Sequence, residues 1–486
     1  MGNKNWWAMV VVTLMVALAC STTGSPSAAP PSGAAPSGAP ATAAPPPALP
    51  ATGQFAELDQ ALDGTTMKGK TVSIQTQWIG GEGANFAAAV ADFAKASGIT
   101  IQVDSIGSSH ETVLRTRIEG GSPPDLAMLA QPTAVLAYGA DDRLVDVATF
   151  MTGAFAGDHA ATVGLITDAD GHVWGIPYKA DVKSTVWYPI KSFAKHGYTV
   201  PTTWAELLAL SDKIVADGKG NPWCMGMEAG TATGWQATDW IEEVMLRTQT
   251  PEKYNQWISG ELPFNSPEVK AAFDEVGKIF FGTNYVLGGN TAIVSVPQTE
   301  PFDGAFPAGG SDDWDNHTPK CWMHKIPTWY GPDFFPDVRA GGPGTVTKYE
   351  IGTDIGIFYL PPLNEAQGAA ALGSADTLMV LDDRPEVRAV AQFLSTPQGI
   401  QRWIEQGSAI SANNKTPAAW YEGFYKLDVA SKIVNSASYL GFDASDLMPP
   451  EVGAGAFWTQ SVEWIRAGGT NTQAVLEAID AAWPAE

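Results

Sequence analysis

The chain has 486 residues, with 28 Lys and Arg against 52 Asp and Glu and a formal net charge of -24. That acid excess, with no basic run anywhere, excludes a nucleic-acid partner, because phosphate contacts need clustered cations, and it excludes peripheral attachment to anionic lipid. A 45% hydrophobic share with 18 Trp, 12 Tyr and 19 Phe excludes a largely disordered chain and predicts two or three domains with large cores.

In chain order, Lys4 precedes an apolar run from Trp6 to Ala19, and Cys20 follows. Fourteen apolar residues are too few for a spanning helix, which needs about 20, and suit the core of a secretory signal. Residues 1–19 are therefore expected to be cleaved after Ala17-Leu18-Ala19. The segment resembles a bacterial lipoprotein signal, which implies that Cys20 is diacylated after export. It departs from that pattern at Ala17, where Leu is usual, and an ordinary cleaved signal is the alternative. Residues 21–53 contain Pro, Ala, Gly, Ser and Thr apart from Leu49, and no charge. Such a stretch cannot bury apolar surface and predicts an extended tether from the anchor at 20 to a folded body.

From Thr71 the pattern alternates between strand and helix. Val72 and Ile74 alternate with polar residues over Thr71–Trp78, a strand. A turn at Gly80, Gly81 and Gly83 leads to a helix that Asn85 could cap, with Phe86, Val90 and Phe93 on one face and Gly98 as its stop. Ile99–Val103 is the next strand, completing a βαβ unit whose first loop lies where open α/β sheets hold ligands. Asp168-Ala169-Asp170-Gly171 begins like a calcium loop, but Val173 and Lys179 stand where Gly and Glu are required, so a hairpin turn is expected. Thr203-Trp204-Ala205-Glu206 is a capping box opening a helix to Ala216. Asp383, Pro385 and Glu386 open another to Leu394, Thr396-Pro397 a third to Gln406, and residues 455–486 read as helical. Cys224 and Cys321 are an even pair in an exported chain, which reads as one disulfide worth roughly 4.7 kcal/mol in the loop-entropy model. A metal site using His317, Cys321 and His324 competes with it, although no fourth ligand is evident.

Signatures of chemistry are missing: no G-x-x-x-x-G-K-[ST], H-E-x-x-H or G-x-S-x-G occurs. A glycosidase is not excluded by this, since its two carboxylates carry no short signature. What stands out is Trp interleaved with acids, in Trp223, Glu228, Trp235, Asp239 and Trp240. An indole covers the C–H face of a sugar ring, and a carboxylate accepts its hydroxyls. Trp235 and Trp240 lie five apart and do not share a helical face, so at most one of them points into a site.

Taken together, these landmarks resemble the family-1 extracellular solute-binding proteins of ABC transporters over about residues 70–486. The resemblance rests on collinear order: Trp78 with Gly80-Gly81-Glu82, Ser122-Pro123-Pro124-Asp125, Val173-Trp174-Gly175-Ile176-Pro177-Tyr178, Val186-Trp187-Tyr188, Pro201–Leu207 and Leu372-Gly373-Ser374-Ala375-Asp376. The stretches Pro222–Arg247 and Phe442–Trp458 resemble the α-glucoside-binding subgroup. The resemblance implies an α/β, two-lobe periplasmic-binding-protein-like fold with a central ligand cleft. Lobe one is expected at 70–180 plus 360–410 and lobe two at 181–359 plus 411–486, which would place both cysteines in lobe two.

Carried over by position, the resemblance implies ligand contacts from Trp78, Glu82, Gln131, Lys179, Asp181, Glu228, Trp235, Asp239, Asp376 and Trp458, with Trp458 stacking and Asp125 only structural. Gly373, Ser374 and Ala375 stand where relatives often carry three glycines, which alters the fit of that loop. The expectation is a lipid-anchored, monomeric binding protein at the outer face of the cytoplasmic membrane. It would capture an α-glucoside or short oligosaccharide without a cofactor and deliver it to permease subunits. A secreted glycoside hydrolase and a surface carbohydrate-binding adhesin are the rivals.

Overall fold

Val72 and Ile74 point to one face of the first strand, β1 (Thr71–Thr76), and neither is exposed at all. The computed structural model that contains this strand describes residues 53–63, 67–308, 311–341, 345, 347–363 and 369–485. The expected signal at 1–19, Cys20 and the tether to 52 lie outside the described residues. β1 pairs in parallel with β2 (Thr100–Ser105) and β3 (Leu126–Leu129). The intervening helix, Gly80–Ser97, buries Phe86, Val90 and Phe93 on that sheet and stops at Gly98, whose φ of 71° is left-handed. The expected βαβ unit is thus present.

Its helix starts six residues earlier than a cap at Asn85 would put it. Asn85 does not cap it; Gly80, Gly81 and Gly83 are wound into its first turn. A Cβ on Gly83 would lie 2.8 Å from the carbonyl of Trp78, so close packing of chain against chain, rather than turn formation, accounts for that glycine. Local signals are reliable where local bonds decide. Thr203 and Glu206 cap the helix Trp204–Ala216 reciprocally, as their spacing predicts. Asp168 accepts the amides of Asp170 and His172 at 2.9 Å, closing the expected turn.

The remaining strands are β4 (Ile176–Val182), β5 (Thr185–Pro189), β6 (Asn221–Trp223), β7 (Cys321–Lys325), β8 (Ile355–Tyr359), β9 (Ala370–Val380), β10 (Ile410–Ser411) and β11 (Tyr439–Phe442). They form two sheets, one ordered β10-β4-β9-β3-β1-β2 with β11 also on β9, the other β6-β7-β5-β8. Each sheet anchors a lobe of this α/β fold. In lobe one Phe86, Leu126, Met128, Ile176 and Trp403 pack around the larger sheet. In lobe two Trp223, Trp240, Phe273, Phe457 and Trp464 form the main core. A second lobe-two cluster surrounds the Cys224–Cys321 disulfide, whose Cα atoms are 5.2 Å apart. Bonding of Cys321 to Cys224 settles the sequence alternatives against metal; His317 and His324 instead contact the carbonyls of Ala305 and Cys224.

Among the described residues the chain crosses between the cores three times. Ile176 of β4 belongs to the lobe-one core and Val186 of β5 to the lobe-two core. β9 runs the other way, with Leu372 in lobe two and Leu378 in lobe one. The third crossing is the helix Tyr425–Ser436, whose Leu427 enters lobe one while Tyr425 packs on lobe two. Val182, Ala371, Ala430 and Ile433 bind the three crossings together in a small apolar cluster.

Candidate functional site

β4 is buried along its whole length, so its alternation decides what its polar side chains meet. Lys179 and Asp181 share one face, and antiparallel β9 places Asp376 opposite Lys179 and Ser374 opposite Asp181. Lys179 Nζ lies 2.6 Å from Asp181 Oδ2, 3.6 Å from Asp376 Oδ2 and 3.9 Å from Glu82 Oε1. Gln77 donates to Asp376 Oδ1 at 2.8 Å, and Thr328 of lobe two donates to Asp181 Oδ1 at 3.1 Å. Trp403 lies beneath the Lys179 ammonium, its ring centroid 5.6 Å away.

Little water reaches this cluster, and its titration reflects that. Burial pushes the Glu82 carboxyl up to about 8, with Lys179 opposing and Asp181, Asp376 and Asp333 adding to the rise. Burial likewise lifts Asp376 to about 6 against the pull of Lys179. Burial works against charge on Lys179 too, yet Asp181, Asp376 and Glu82 together hold it above the ordinary lysine value.

A second cluster begins two residues past Asp181. Lys183 donates to Asp239 at 2.9 Å and to Asp443. Lys325 lies 3.4 Å from Asp239 and 3.6 Å from Glu243, which also pairs with Arg247. Trp458 Nε1 donates to Ser445 at 3.2 Å, and Ser445 donates to Asp443 at 2.8 Å. Glu242 accepts the amides of Ala444 and Ser445. Burial raises Glu242 and Asp446 well above ordinary carboxylates, Gln131 bonding the latter across the lobes. Oxygens of Asp239, Glu242 and Asp443 lie within 4.8 Å of one another, but the protein's own cation, Lys183, already bridges two of them.

The expected site residues therefore divide. Glu82, Lys179, Asp181 and Asp376 come together in the first cluster; Gln131, Asp239 and Trp458 belong to the second. Trp78 packs edge-on to Trp403 at 4.7 Å and against Phe86 at 5.0 Å, leaving 3% of it exposed. Trp458 is buried as well, at 4%. Trp235 is half-buried, with Lys183 Nζ 5.1 Å from its ring and Trp329 at 6.2 Å. Trp240 packs in the core against Trp223. Glu228 joins neither cluster; its carboxylate accepts the Gly230 amide at 2.9 Å. Residues not anticipated are Lys183, Trp329, Asp333, Lys426 and the Asp443–Asp446 pair. Lys183 continues the spacing of Lys179 and Asp181, a signal that was available. Lys426 lies in an ordinary amphipathic helix and gives none.

Around these clusters the lobes touch, among the described residues, through further hydrogen bonds. Asn85 donates to Asp333 at 3.3 Å, Thr231 to Glu111 at 3.2 Å, and Thr133 to the Met448 carbonyl at 2.7 Å. A Cβ on Gly81 would overlap the Asp333 carboxyl, and one on Gly230 the Ser108 carbonyl. A separate hollow of about 470 Å³ at the edge of lobe two, lined by Phe280, Tyr285 and Asn290, contains none of these groups.

Comparison with known proteins places this arrangement in a class. The profile of the bacterial extracellular solute-binding proteins matches residues 78–318. The Alpha-glucosides-binding periplasmic protein AglE of Rhizobium meliloti (strain 1021) is 34% identical over 438 residues, 88% of this chain and 90% of that protein. The Osmoprotective compounds-binding protein GgtB of Synechocystis sp. (strain ATCC 27184 / PCC 6803 / Kazusa) is 33% identical over 416 residues, 85% and 93% of the two chains. The solved structure of the bacterial solute receptor AcbH, 15% identical, superposes with a TM-score of 0.69 over 85% of this chain and 98% of that one, confirming the two-lobe fold. This chain belongs to the bacterial extracellular solute-binding family, whose members bind solutes and are not enzymes. Among the described residues no helix is long and apolar enough to cross a membrane.

Proposed function

We propose that this chain is the sugar-capturing receptor of an ABC importer, taking α-glucosides or short oligosaccharides into the cleft between its lobes. The observation that carries this reading is the register of β4 on β9, which gathers Lys179, Asp181 and Asp376 beside Glu82 between two lobes already in contact. Such carboxyls can accept ring hydroxyls, and half-buried Trp235 offers an indole face. AglE, an alpha-glucosides-binding protein, and GgtB, an osmoprotective compounds-binding protein, each about one-third identical, support a small α-glucoside as the solute.

In this reading lobe one comprises about 70–180 plus 360–410 and lobe two 181–359 plus 411–486. The core memberships of Leu372 and Leu427 support drawing the second and third cuts inside β9 and inside the helix Tyr425–Ser436 instead of at 360 and 410. The protein acts as a monomer, exported by the signal at 1–19 and anchored by a lipid on Cys20 through the tether to 53. Binding favours the closed arrangement, which docks on permease subunits at the outer face of the cytoplasmic membrane.

Calorimetric titration with trehalose, sucrose, maltose and maltotriose, followed by recovery of each sugar, tests the proposal. Saturable one-to-one binding of an α-linked sugar returned intact is the expected result. Absence of heat from every sugar would remove the substrate class, and a cleaved sugar would revive the hydrolase.

A further inference from the structure

We propose that Lys426, on the third crossing, is a ligand-contacting residue of the cleft, donating hydrogen bonds to hydroxyl oxygens of the bound sugar ring while Gln77 accepts from that ring. This inference rests on the sugar-binding reading above and adds a contact that the family resemblance did not supply.

Lys426 lies in the first turn of the helix Tyr425–Ser436 and is 2% exposed. An ammonium carries three donors. Among the described residues only one of them has an acceptor, the Tyr330 carbonyl at 3.3 Å. The charged groups facing it are Asp181, Lys179, Asp333 and Glu82, contributed by β4, the lobe-two loop and the helix Gly80–Ser97. Asp181 is already held by Lys179 and Thr328, and Asp333 by Asn85.

The contrast with its neighbours is informative. Lys179 and Lys183 are buried too but donate to carboxylates, and those partners hold them above the ordinary lysine value. Burial instead drags Lys426 down to about 8, the acids restoring only part of the loss. Beside the same cluster Gln77 spends its amide nitrogen on Asp376, and its buried Oε1 has no hydrogen-bond partner among the described residues. The cleft therefore holds donors short of an acceptor and an acceptor short of a donor. A hydroxyl supplies both from one atom. Four carboxyls, Glu82, Asp181, Asp333 and Asp376, surround two ammonium groups, so a neutral polyol fits and a phosphorylated or uronic sugar is repelled.

If Lys426 merely ties its helix to Tyr330, its loss changes stability and leaves the pH profile of binding alone. The test is calorimetric titration of the full-length protein, wild type, Lys426→Met, Lys426→Arg and Glu82→Gln, with trehalose, sucrose and maltose from pH 6 to 10. Melting curves are recorded in parallel, and trehalose 6-phosphate serves as the anionic probe. Lys426→Met is expected to weaken Kd by about 10-fold or more at neutral pH, the worth of a hydrogen bond from a charged donor. Wild-type affinity is expected to fall as the pH rises through about 8. The Lys426 share of that fall should vanish in Lys426→Met and move to higher pH in Lys426→Arg, whereas the Glu82 share should vanish only in Glu82→Gln. A folded Lys426→Met protein with wild-type affinity and pH profile overturns the proposal. If that variant does not fold, an unmoved alkaline limb in Lys426→Arg overturns it as well. Wild type binding none of the sugars would overturn the sugar reading and this contact with it, an outcome distinct from wild type binding while the variants behave alike.

Discussion

Lys183 sits at the turn between β4 and β5 with Asp239 and Asp443 on its ammonium and Asp446 nearby. Removing one partner of a buried charge set leaves the others uncompensated, at a cost of about 3–5 kcal/mol. Lys183→Met should therefore lower stability by roughly that amount in urea unfolding, and a double variant with Asp443→Asn should recover part of it. Trp235 is predicted to behave in the opposite way. It is half-buried and outside the packed core, so Trp235→Ala should leave melting nearly unchanged while sugar affinity drops about 10-fold, read by calorimetry. Trp78 and Trp458 were expected beside it as ligand residues, but their faces are covered by protein. From the sequence all three are a Trp among small and acidic residues; only packing separates an indole against Trp403 from one facing Lys183.

The helix Gly80–Ser97 shows where local signals fail. Its glycines read as a turn because glycine in isolation favours one, yet Gly81 is helical and meets Asp333 from the other lobe. A side chain there would meet its obstacle only when the lobes are together. Gly81→Ala should thus leave the melting temperature of the ligand-free protein within about 1 °C, helix propensity even favouring alanine. Sugar affinity should drop by about 10-fold or more, and small-angle scattering of the sugar-saturated variant should show a larger radius of gyration than wild type. Equal radii would show that Asp333 simply moves aside. Within lobe two, the disulfide closes a separation of 97 residues. Its removal by Cys224→Ser with Cys321→Ser should cost about 2–5 kcal/mol in equilibrium unfolding, while saturating sugar raises the melting temperature of both forms.

For the whole molecule, the buried carboxyls set a pH trend. Glu82 is held at about 8 and Asp376 at about 6, both above their unfolded values. Raised acids lend stability that is complete below their unfolded values and is lost as the pH climbs through the folded ones. The buried histidines His110, His159 and His324 are held below the ordinary histidine value by burial, so they add stability as the pH climbs through that value and oppose the carboxyls near pH 6.5. The Glu82 share is read against Glu82→Gln: the melting temperature of wild type relative to that variant should decline from pH 6.5 to 8 by a few degrees, on the order of what one to two kcal/mol produces in a chain of this size. Glu82→Gln stays uncharged and keeps the histidine and lysine shares, so the difference isolates Glu82. A difference that stays constant over the same interval would mean that Glu82 is ionised and solvated in the folded protein.

The α/β class, the βαβ unit at Thr71–Ser105, the capping box at Thr203 and the acid-rich, phosphate-averse character were all present in the sequence alone, because each depends on neighbours within a turn or a strand. So was the place of Glu82 just past the first strand, where such sheets hold ligands, although it stands in the first turn of the helix and not in a loop. The tertiary structure alone decided which acids meet which lysines. Lys179 and Asp376 are almost 200 residues apart and meet through the register of two antiparallel strands, and a slip of one residue would turn every side chain to the other face. It also decided that Lys426 belongs to the cleft, since a lone lysine in a helix acquires its meaning only from the burial and the partners that distant segments impose.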